Sequence, residues 1–167
     1  EALTTVTLPA SIKTIGKGAF YGSAHLTTVV MPEGLENIND YAFYDCSGFS
    51  GSLTIPNSVT SIEEYAFDGC SGLTSVVIPN SVTNIGHFAF RNCSVLASVA
   101  ISSNVKSIGD GVFRGCASLT SVTIPDSVTS IGNYQFSGCD SLTSVVIPDG
   151  VTSIGDQAFC SCSSLTE

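Results

Sequence analysis

The segment Ser127–Pro148 reads SVTSIGNYQFSGCDSLTSVVIP, and close variants of it recur along the chain of 167 residues. Its phenylalanine returns every 23 residues, apart from one step of 24 between Phe43 and Phe67. Seven copies in one frame follow from this column: Phe20, Phe43, Phe67, Phe90, Phe113, Phe136 and Phe159. A fixed period of this length is the sequence signature of a repeat architecture.

Other residue types keep the same period. The isoleucine column is complete: Ile15, Ile38, Ile62, Ile85, Ile108, Ile131 and Ile154. The cysteine and proline columns are each broken once, by Ser23 and by Ser102, and one extra residue lies near Gly51. The small apolar column before the phenylalanine contains Val112 and Gln135, and we expect the polar Gln135 to reach solvent or a hydrogen-bond partner.

Each copy predicts a strand, a turn, a short helical turn and a second turn. In Leu73–Ile78, β-branched residues dominate and apolar residues alternate at the end, as in a short strand that Pro79 then closes. The segment Gly86–Phe90 has room for about one helical turn. An acidic or amide residue often follows the glycine and suits a helix N-terminus, while the glycines of the Gly69 column suit a left-handed C-cap.

One copy cannot bury its apolar side alone, but stacked copies can. The predicted core of one layer is Leu73, Val76, Ile78, Val82, Ile85, Ala89, Phe90 and Cys93. Equivalent strands would then pair in a parallel sheet at roughly 4.8 Å. Residues 1–167 are therefore predicted to form a single α/β repeat solenoid of seven units.

The pattern L-x-x-V-x-I-P followed by S-V-x-x-I-G-x-x-A-F-x-G-C resembles the BspA-like leucine-rich repeat family of bacterial and protozoan surface proteins. The resemblance covers Leu3 to Leu165. It implies a right-handed arc with the parallel sheet on the concave face, which places the predicted helical turns on the convex side. It also implies extracellular or cell-surface display and, for some members, adhesion to host proteins.

Composition excludes several classes of partner. Five basic against fourteen acidic residues give a net charge of −9, and the basic residues are scattered, so nucleic acid is not an expected partner. No apolar run approaches the roughly 18 residues of a membrane-spanning helix, so no membrane insertion is expected. The expected partner is a protein ligand, such as a host matrix or surface protein, or a neighbouring repeat array.

Seven cysteines leave two interpretations. Adjacent positions in the column lie near the Cα distance that a disulfide accepts, but stacked side chains point in parallel, so buried reduced thiols are the favoured interpretation. Cys160 differs because it lies in a column of polar and aromatic residues. We therefore expect it to be an exposed thiol.

No arrangement typical of catalysis follows from the columns, so the chain is not expected to be an enzyme or to need a cofactor. His25 and His87 lie in different columns. Asp126 and Asp149 occupy the position after the proline in neighbouring copies and form a weak candidate calcium site. Two solvated turn acids are the favoured alternative.

Two surfaces are candidates for partner binding. The strand face presents small uncharged side chains, a composition that strand propensity alone also explains. Its candidate residues are Thr54, Ser75, Val77, Ser98 and Thr123. The helical-turn side carries aromatic side chains that form an exposed apolar patch for binding a partner or, alternatively, only cover the turns. Its candidate residues are Tyr21, Tyr41, Tyr44, Tyr65 and Phe88. A pair between Asp68 and Arg91 is expected at the surface, with little energetic value.

Neither end of the sequence shows a polar capping repeat. Open ends indicate an excerpt of a longer array, end-to-end association or missing ordered residues, and the excerpt is the favoured expectation. Two functional hypotheses follow: an adhesin-type protein-binding module, or a structural stalk or filament element that associates with its own neighbours.

Overall fold

The computed structural model describes residues 2–166, which form successive coils of a parallel β-solenoid, one coil per repeat. Each coil contributes one longer strand to what we call the long-strand face. These strands are β1 (Thr5–Thr7), β3 (Thr28–Val30), β5 (Gly51–Thr54), β7 (Leu73–Ile78), β9 (Ser98–Ile101), β11 (Ser121–Thr123) and β13 (Ser144–Val146). All pairings are parallel and, apart from Gly51 with Leu73, join equivalent residues, for example Val76 with Val99, so the repeat frame read from the sequence is the strand register.

A second, two-residue strand follows in each coil after five or six intervening residues. These strands are β2 (Thr14–Ile15), β4 (Asn37–Ile38), β6 (Ser61–Ile62), β8 (Asn84–Ile85), β10 (Ser107–Ile108), β12 (Ser130–Ile131) and β14 (Ser153–Ile154). They pair in parallel from β2 to β10, and β12 pairs with β14. The long strands pair from β5 to β13, and β1 pairs with β3.

The predicted short helical turns are wrong, because the third side of each coil, here called the turn segment, is non-helical. Residues 2–166 contain no helix, and so none that could span a membrane. Alternate amides of the turn segment leave their own coil: Tyr41, Phe43 and Asp45 donate to carbonyls of the next coil at 2.7–2.9 Å. The amides between them donate within the coil to the carbonyl three residues back. A helix would direct every amide along its own axis.

Positive φ angles enforce this alternation. Tyr41 and Asp45 have φ of 56° and 54°, and the equivalent glycines Gly18 and Gly22 have 61° and 67°. The left-handed conformation predicted for the glycine column is therefore present, but it closes no helix.

The predicted core is confirmed, since all eight residues of the layer from Leu73 to Cys93 are buried. Its centre is the phenylalanine column, in which Phe43, Phe67 and Phe90 are fully buried and stack at 5.2 and 5.3 Å between ring centroids. Parallel stacking follows directly from the repeat, because identical residues in register meet their own kind. The right-handed arc and the concavity of the long-strand face stay predictions of the resemblance.

The extra residue is absorbed locally. The pairing of β5 with β7 shifts between Gly51 and Ser52, and Gly51 has φ of 79°. Phe49 takes the place of the repeat leucine and packs edge-on against Phe43 at 5.6 Å. The bulge thus keeps the 23-residue frame of the core on both sides.

Candidate functional site

The turn segments bring five aromatic side chains together, which we call the aromatic cluster: Tyr21, Tyr41, Tyr44, Tyr65 and Phe88. Tyr41 stacks on Tyr65 at 4.8 Å, and Tyr65 stacks on Phe88 at 5.1 Å. A second, parallel pair joins Tyr21 to Tyr44 at 4.7 Å, and Tyr44 meets Tyr41 at 5.6 Å in a tilted arrangement. The predicted aromatic residues of this side therefore form one contiguous group.

The cluster is accessible. Tyr21 is 59% exposed, and the other four rings are half-buried. Within the Tyr41 column the facing sides of Tyr41, Tyr65 and Phe88 cover one another, while each of the three residues stays partly exposed. Tyrosine suits such a surface, because it combines a large apolar ring with a polar tip.

The backbone beneath Tyr41, Tyr65 and Phe88 is left-handed, with φ of 56°, 56° and 57°. A side chain in this region costs roughly 1–2 kcal/mol, which glycine avoids. Glycine does occupy the same column at Gly18 and Gly111, with φ of 61° at both. The two stacked pairs together return about 1–3 kcal/mol, and each glycine would cost roughly 0.5–1 kcal/mol through its flexibility in the unfolded chain. Together these gains roughly offset the strain, so the aromatic residues gain little over glycine.

Phe88 ends the column against a glycine of the next coil. Gly111 is buried, and a Cβ placed on it would lie 2.4 Å from Cε1 of Phe88. The missing side chain therefore makes room for the ring. The stack stops here because the next coil offers only backbone.

Basic side chains gather around the cluster. The guanidinium of Arg91 lies 5.4 Å from the ring centroids of both Tyr65 and Phe88, and Lys17 Nζ lies 5.5 Å from that of Tyr41. In the next coil, Arg114 lies 5.0 Å from the ring of Tyr134. Three of the five basic residues of an acidic chain thus lie against turn-segment aromatics, in contact distances typical of cation–π pairs.

The expectation that Asp68 and Arg91 pair at the surface is wrong for Asp68. Asp68 is 1% exposed and is therefore not a surface residue. Its Oδ2 accepts a hydrogen bond from Arg91 Nε at 2.9 Å and forms an ion pair with Nη2 at 2.6 Å. Asn92 donates to its other oxygen at 3.4 Å. Burial raises the pKa of Asp68, although the bonds from Arg91 and Asn92 oppose this shift. The pair anchors the guanidinium between Tyr65 and Phe88.

The predicted residues of the long-strand face form a separate surface. Thr54, Ser98 and Thr123 are exposed, Val77 is 56% exposed, and Ser75 is half-buried. A shallow groove of about 460 Å³ runs along the strand ends, lined by residues that include Thr54, Val77 and Ala100. The structure places this set on strands and the aromatic cluster on turn segments, so the two do not form one site.

The cysteine column consists of free thiols that are buried from Cys46 to Cys139 and half-buried at Cys162, as the packing interpretation predicts. Each Sγ donates to the carbonyl of a phenylalanine in the preceding coil, for example Cys46 to Phe20 at 3.1 Å and Cys93 to Phe67 at 3.3 Å. Burial raises the pKa of Cys46 to about 11 and that of Cys139 to about 12. All seven cysteines are free, and Cys160 is exposed.

The remaining predicted site residues do not converge. Asp126 and Asp149 are both exposed on the turns that follow β11 and β13. Within residues 2–166 no group of three or more histidines, cysteines or carboxylates is placed to hold a metal. His25 and His87 are exposed, and His87 Nδ1 accepts the amide of Asp110 at 2.9 Å.

That last contact belongs to a ladder that sequence reasoning missed. Asp110 Oδ1 accepts the amide of Asn133 at 2.8 Å, and Asn133 Oδ1 accepts the amide of Asp156 at 2.7 Å. These polar residues were expected to cap helices within their own coils. They instead bind backbone amides of the following coil, which the 23-residue spacing alone does not reveal.

Known proteins share this repeat and this fold. The family model for the BspA type leucine rich repeat region matches residues 1–95 and 49–166, in six copies. No curated protein gives a significant match. The leucine-rich repeat protein of T. pallidum is 32% identical, with a TM-score of 0.94 over 100% of this chain and 80% of that one.

Two further solved structures are similar. A leucine-rich cell surface protein from Faecalibacterium prausnitzii A2-165 is 28% identical, with a TM-score of 0.70 over 98% of this chain and 59% of that one. A leucine-rich repeat protein from Eubacterium ventriosum is 27% identical, with a TM-score of 0.84 over 98% of this chain and 44% of that one. This chain thus spans less than two thirds of these two relatives.

Proposed function

The chain belongs to the BspA-type leucine-rich repeat family, and from this premise we propose that it is a non-enzymatic, adhesin-type module that binds a protein partner through the aromatic cluster. The partner is an extracellular or surface protein, such as a host matrix protein. The similar protein from Faecalibacterium prausnitzii is described as a cell surface protein, which supports display of this chain at a cell surface.

The observation that carries the proposal is the left-handed backbone of Tyr41, Tyr65 and Phe88. Glycine fits this column without strain and occupies it at Gly18 and Gly111. Three consecutive coils carry large aromatic residues there at no clear gain in stability. Strained backbone conformations cluster at functional sites, and binding by these side chains supplies the reason for their presence.

The chemistry of the cluster supports protein binding. Tyrosine and arginine are enriched among the residues that dominate binding energies at protein interfaces. The cluster combines four tyrosines with Arg91, whose guanidinium is held in place by the buried Asp68. Ordered side chains lose little conformational entropy on binding, so this surface is prepared for contact.

The long-strand face supports the proposal less well. Its exposed columns contain serine, threonine, valine and alanine, which lack the aromatic and arginine anchors of typical interfaces. Strand propensity is sufficient to explain this composition. We therefore assign the partner to the turn segments.

A panel of purified extracellular matrix and serum proteins, measured by biolayer interferometry, tests the assignment. The variant is the triple substitution Tyr41→Gly, Tyr65→Gly and Phe88→Gly, because glycine fits the backbone of this column. The matched control is Val77→Lys with Thr123→Lys on the long-strand face. We expect the triple variant to weaken binding at least tenfold and the control to leave it unchanged.

The opposite pattern, with binding lost only in the long-strand variant, would move the site to that face. A panel with no binder to the unmodified chain would contradict the adhesin proposal. End-to-end association, the structural alternative, is measured in the same samples by light scattering across concentrations, and a size that grows with concentration would support it.

A further inference from the structure

Gln135 is the one residue of the small apolar column that carries a polar side chain. It is 2% exposed, and neither Nε2 nor Oε1 has a hydrogen-bond partner in the described part of the chain. The expectation that it reaches solvent or a protein partner is therefore wrong. A buried amide without partners carries a large desolvation penalty, so its surroundings have to be explained.

A small cavity adjoins this side chain. Its lining is mostly apolar and includes Ile101, Ile108, Ile124 and Phe136, and the only polar side chains that line it are those of Gln135 and Ser130. The space open to a water-sized sphere is about 10 Å³, which is close to the room that one water molecule requires. The cavity is too small for any larger polar ligand.

The backbone explains why the cavity lies between the coils of β10 and β12. The short strands pair from β2 to β10 and again from β12 to β14, but β10 and β12 belong to separate sheets. Ile108 ends β10, and Ser130 begins β12. The phenylalanine rings are also further apart here, at 6.1 Å for Phe90–Phe113 and 5.8 Å for Phe113–Phe136. The coils therefore separate slightly beside Gln135.

Gly132 leaves room for the side chains of both Asp110 and Gln135. A Cβ at this position would lie 2.7 Å from Oδ1 of Asp110 and 3.1 Å from Oε1 of Gln135, so a larger residue would crowd both oxygens. Glycine is the usual residue at this position, as at Gly16, Gly86, Gly109 and Gly155, where the small apolar column contains alanine or valine. Gln135 itself is therefore the feature specific to this coil.

We propose that this cavity is a binding site for a single ordered water molecule, held by the Gln135 amide. The amide offers one donor and one acceptor to the water, and the Ser130 hydroxyl lines the same space. Buried waters typically make about three hydrogen bonds to groups that otherwise lack partners. The water restores the hydrogen bonds of Gln135 and fills the space where the short strands do not pair.

A crystal structure of the complete chain at a resolution that shows ordered water tests the proposal. We expect a density peak about 2.7–3.2 Å from Nε2 or Oε1 of Gln135. Gln135→Leu, which has similar size but no amide, is the matched variant, and we expect its structure to lack the peak. An empty cavity beside a buried Gln135, or a Gln135 side chain turned to solvent, would overturn the proposal. A peak that persists in Gln135→Leu would show that the amide does not hold the water, and would also overturn it.

Discussion

The carboxylate of Asp68 lies 2.6 Å from Nη2 of Arg91 on the adjacent coil, and the two side chains differ sharply in exposure. Asp68 is 2% exposed in its side chain, whereas Arg91 is 27% exposed. The carboxylate thus depends on Arg91 for its charge compensation, while the guanidinium still contacts Tyr65 and Phe88 from the outside. One ion pair connects the core to the candidate binding surface.

Removing Arg91 should therefore destabilise the fold. We expect Arg91→Ala to lower the free energy of unfolding by about 3 kcal/mol, because it leaves a buried carboxylate without its partner. Arg114→Ala is the matched control, since Arg114 is the exposed equivalent in the next coil, and should cost less than about 1 kcal/mol. Urea denaturation followed by circular dichroism measures both.

A double-mutant cycle separates the pair from its surroundings. The double variant Asp68→Ala with Arg91→Ala should lose less free energy of unfolding than the sum of the losses in the two single variants, because each substitution removes the same interaction. Additive losses would show that the two residues stabilise the fold independently.

The same carboxylate predicts a dependence on pH. Burial raises the pKa of Asp68 above its ordinary value of 3.8, so the folded chain binds a proton at this carboxylate more tightly than the unfolded chain does. The stability gained from protonating Asp68 is complete below the ordinary pKa and is lost as the pH rises through the raised pKa. Acidification through this window should therefore stabilise the unmodified chain relative to Asp68→Asn.

Urea denaturation of both proteins at several pH values measures the difference in free energy of unfolding. Asp68→Asn is the suitable reference because every other titrating group is unchanged. A difference that stays constant, or that favours Asp68→Asn at lower pH, would mean that burial does not penalise the ionised form.

Thiol reactivity distinguishes Cys160 from the cysteine column. Thiolate is the reactive form, and burial raises the pKa of the column thiols, to about 11 for Cys46. We expect an aromatic disulfide reagent in native buffer to modify one site rapidly, and Cys160→Ser to remove that phase. Rapid modification of all seven thiols, or of none, would contradict this assignment of exposure.

The sequence predicts what the repeat imposes on every coil and misses what depends on a single coil. The buried phenylalanine column, the strand register and the solvent exposure of Cys160 all follow from period and residue type. Asp68 shares its column with the exposed Tyr21 and Cys160, so no pattern indicates that it is buried. Its ion pair with Arg91 of the next coil appears only in the three-dimensional arrangement.

The wrong helical turn also concerns contacts between coils that the repeat pattern does not show. A helix prediction assumes that amides bond within their own segment, whereas Tyr41, Phe43 and Asp45 donate to the next coil. A signal was present in the sequence, because glycine shares one column with Tyr41 and another with Asp45. Glycine at two positions four residues apart indicates left-handed backbone at both, which a helix does not allow.

The left-handed backbone is expected to reverse the usual order of stability between alanine and glycine variants. At most positions a glycine makes the fold less stable than an alanine does, by roughly 0.5–1 kcal/mol, because glycine is more flexible in the unfolded chain. At Tyr65, where φ is 56°, alanine also carries the steric cost of a Cβ in this region, roughly 1–2 kcal/mol. Tyr65→Gly should therefore be more stable than Tyr65→Ala, by up to about 1.5 kcal/mol.

Thermal and urea denaturation of the two variants measure this order. Ala66→Gly is the internal control, because Ala66 is the next residue, is buried, and has no positive φ. There we expect glycine to cost about 1 kcal/mol in the usual direction. Should Tyr65→Ala equal or exceed Tyr65→Gly in stability, the backbone strain beneath the aromatic column would be negligible. The column would then need no functional explanation, since the stacking of Tyr41, Tyr65 and Phe88 would be sufficient to account for it.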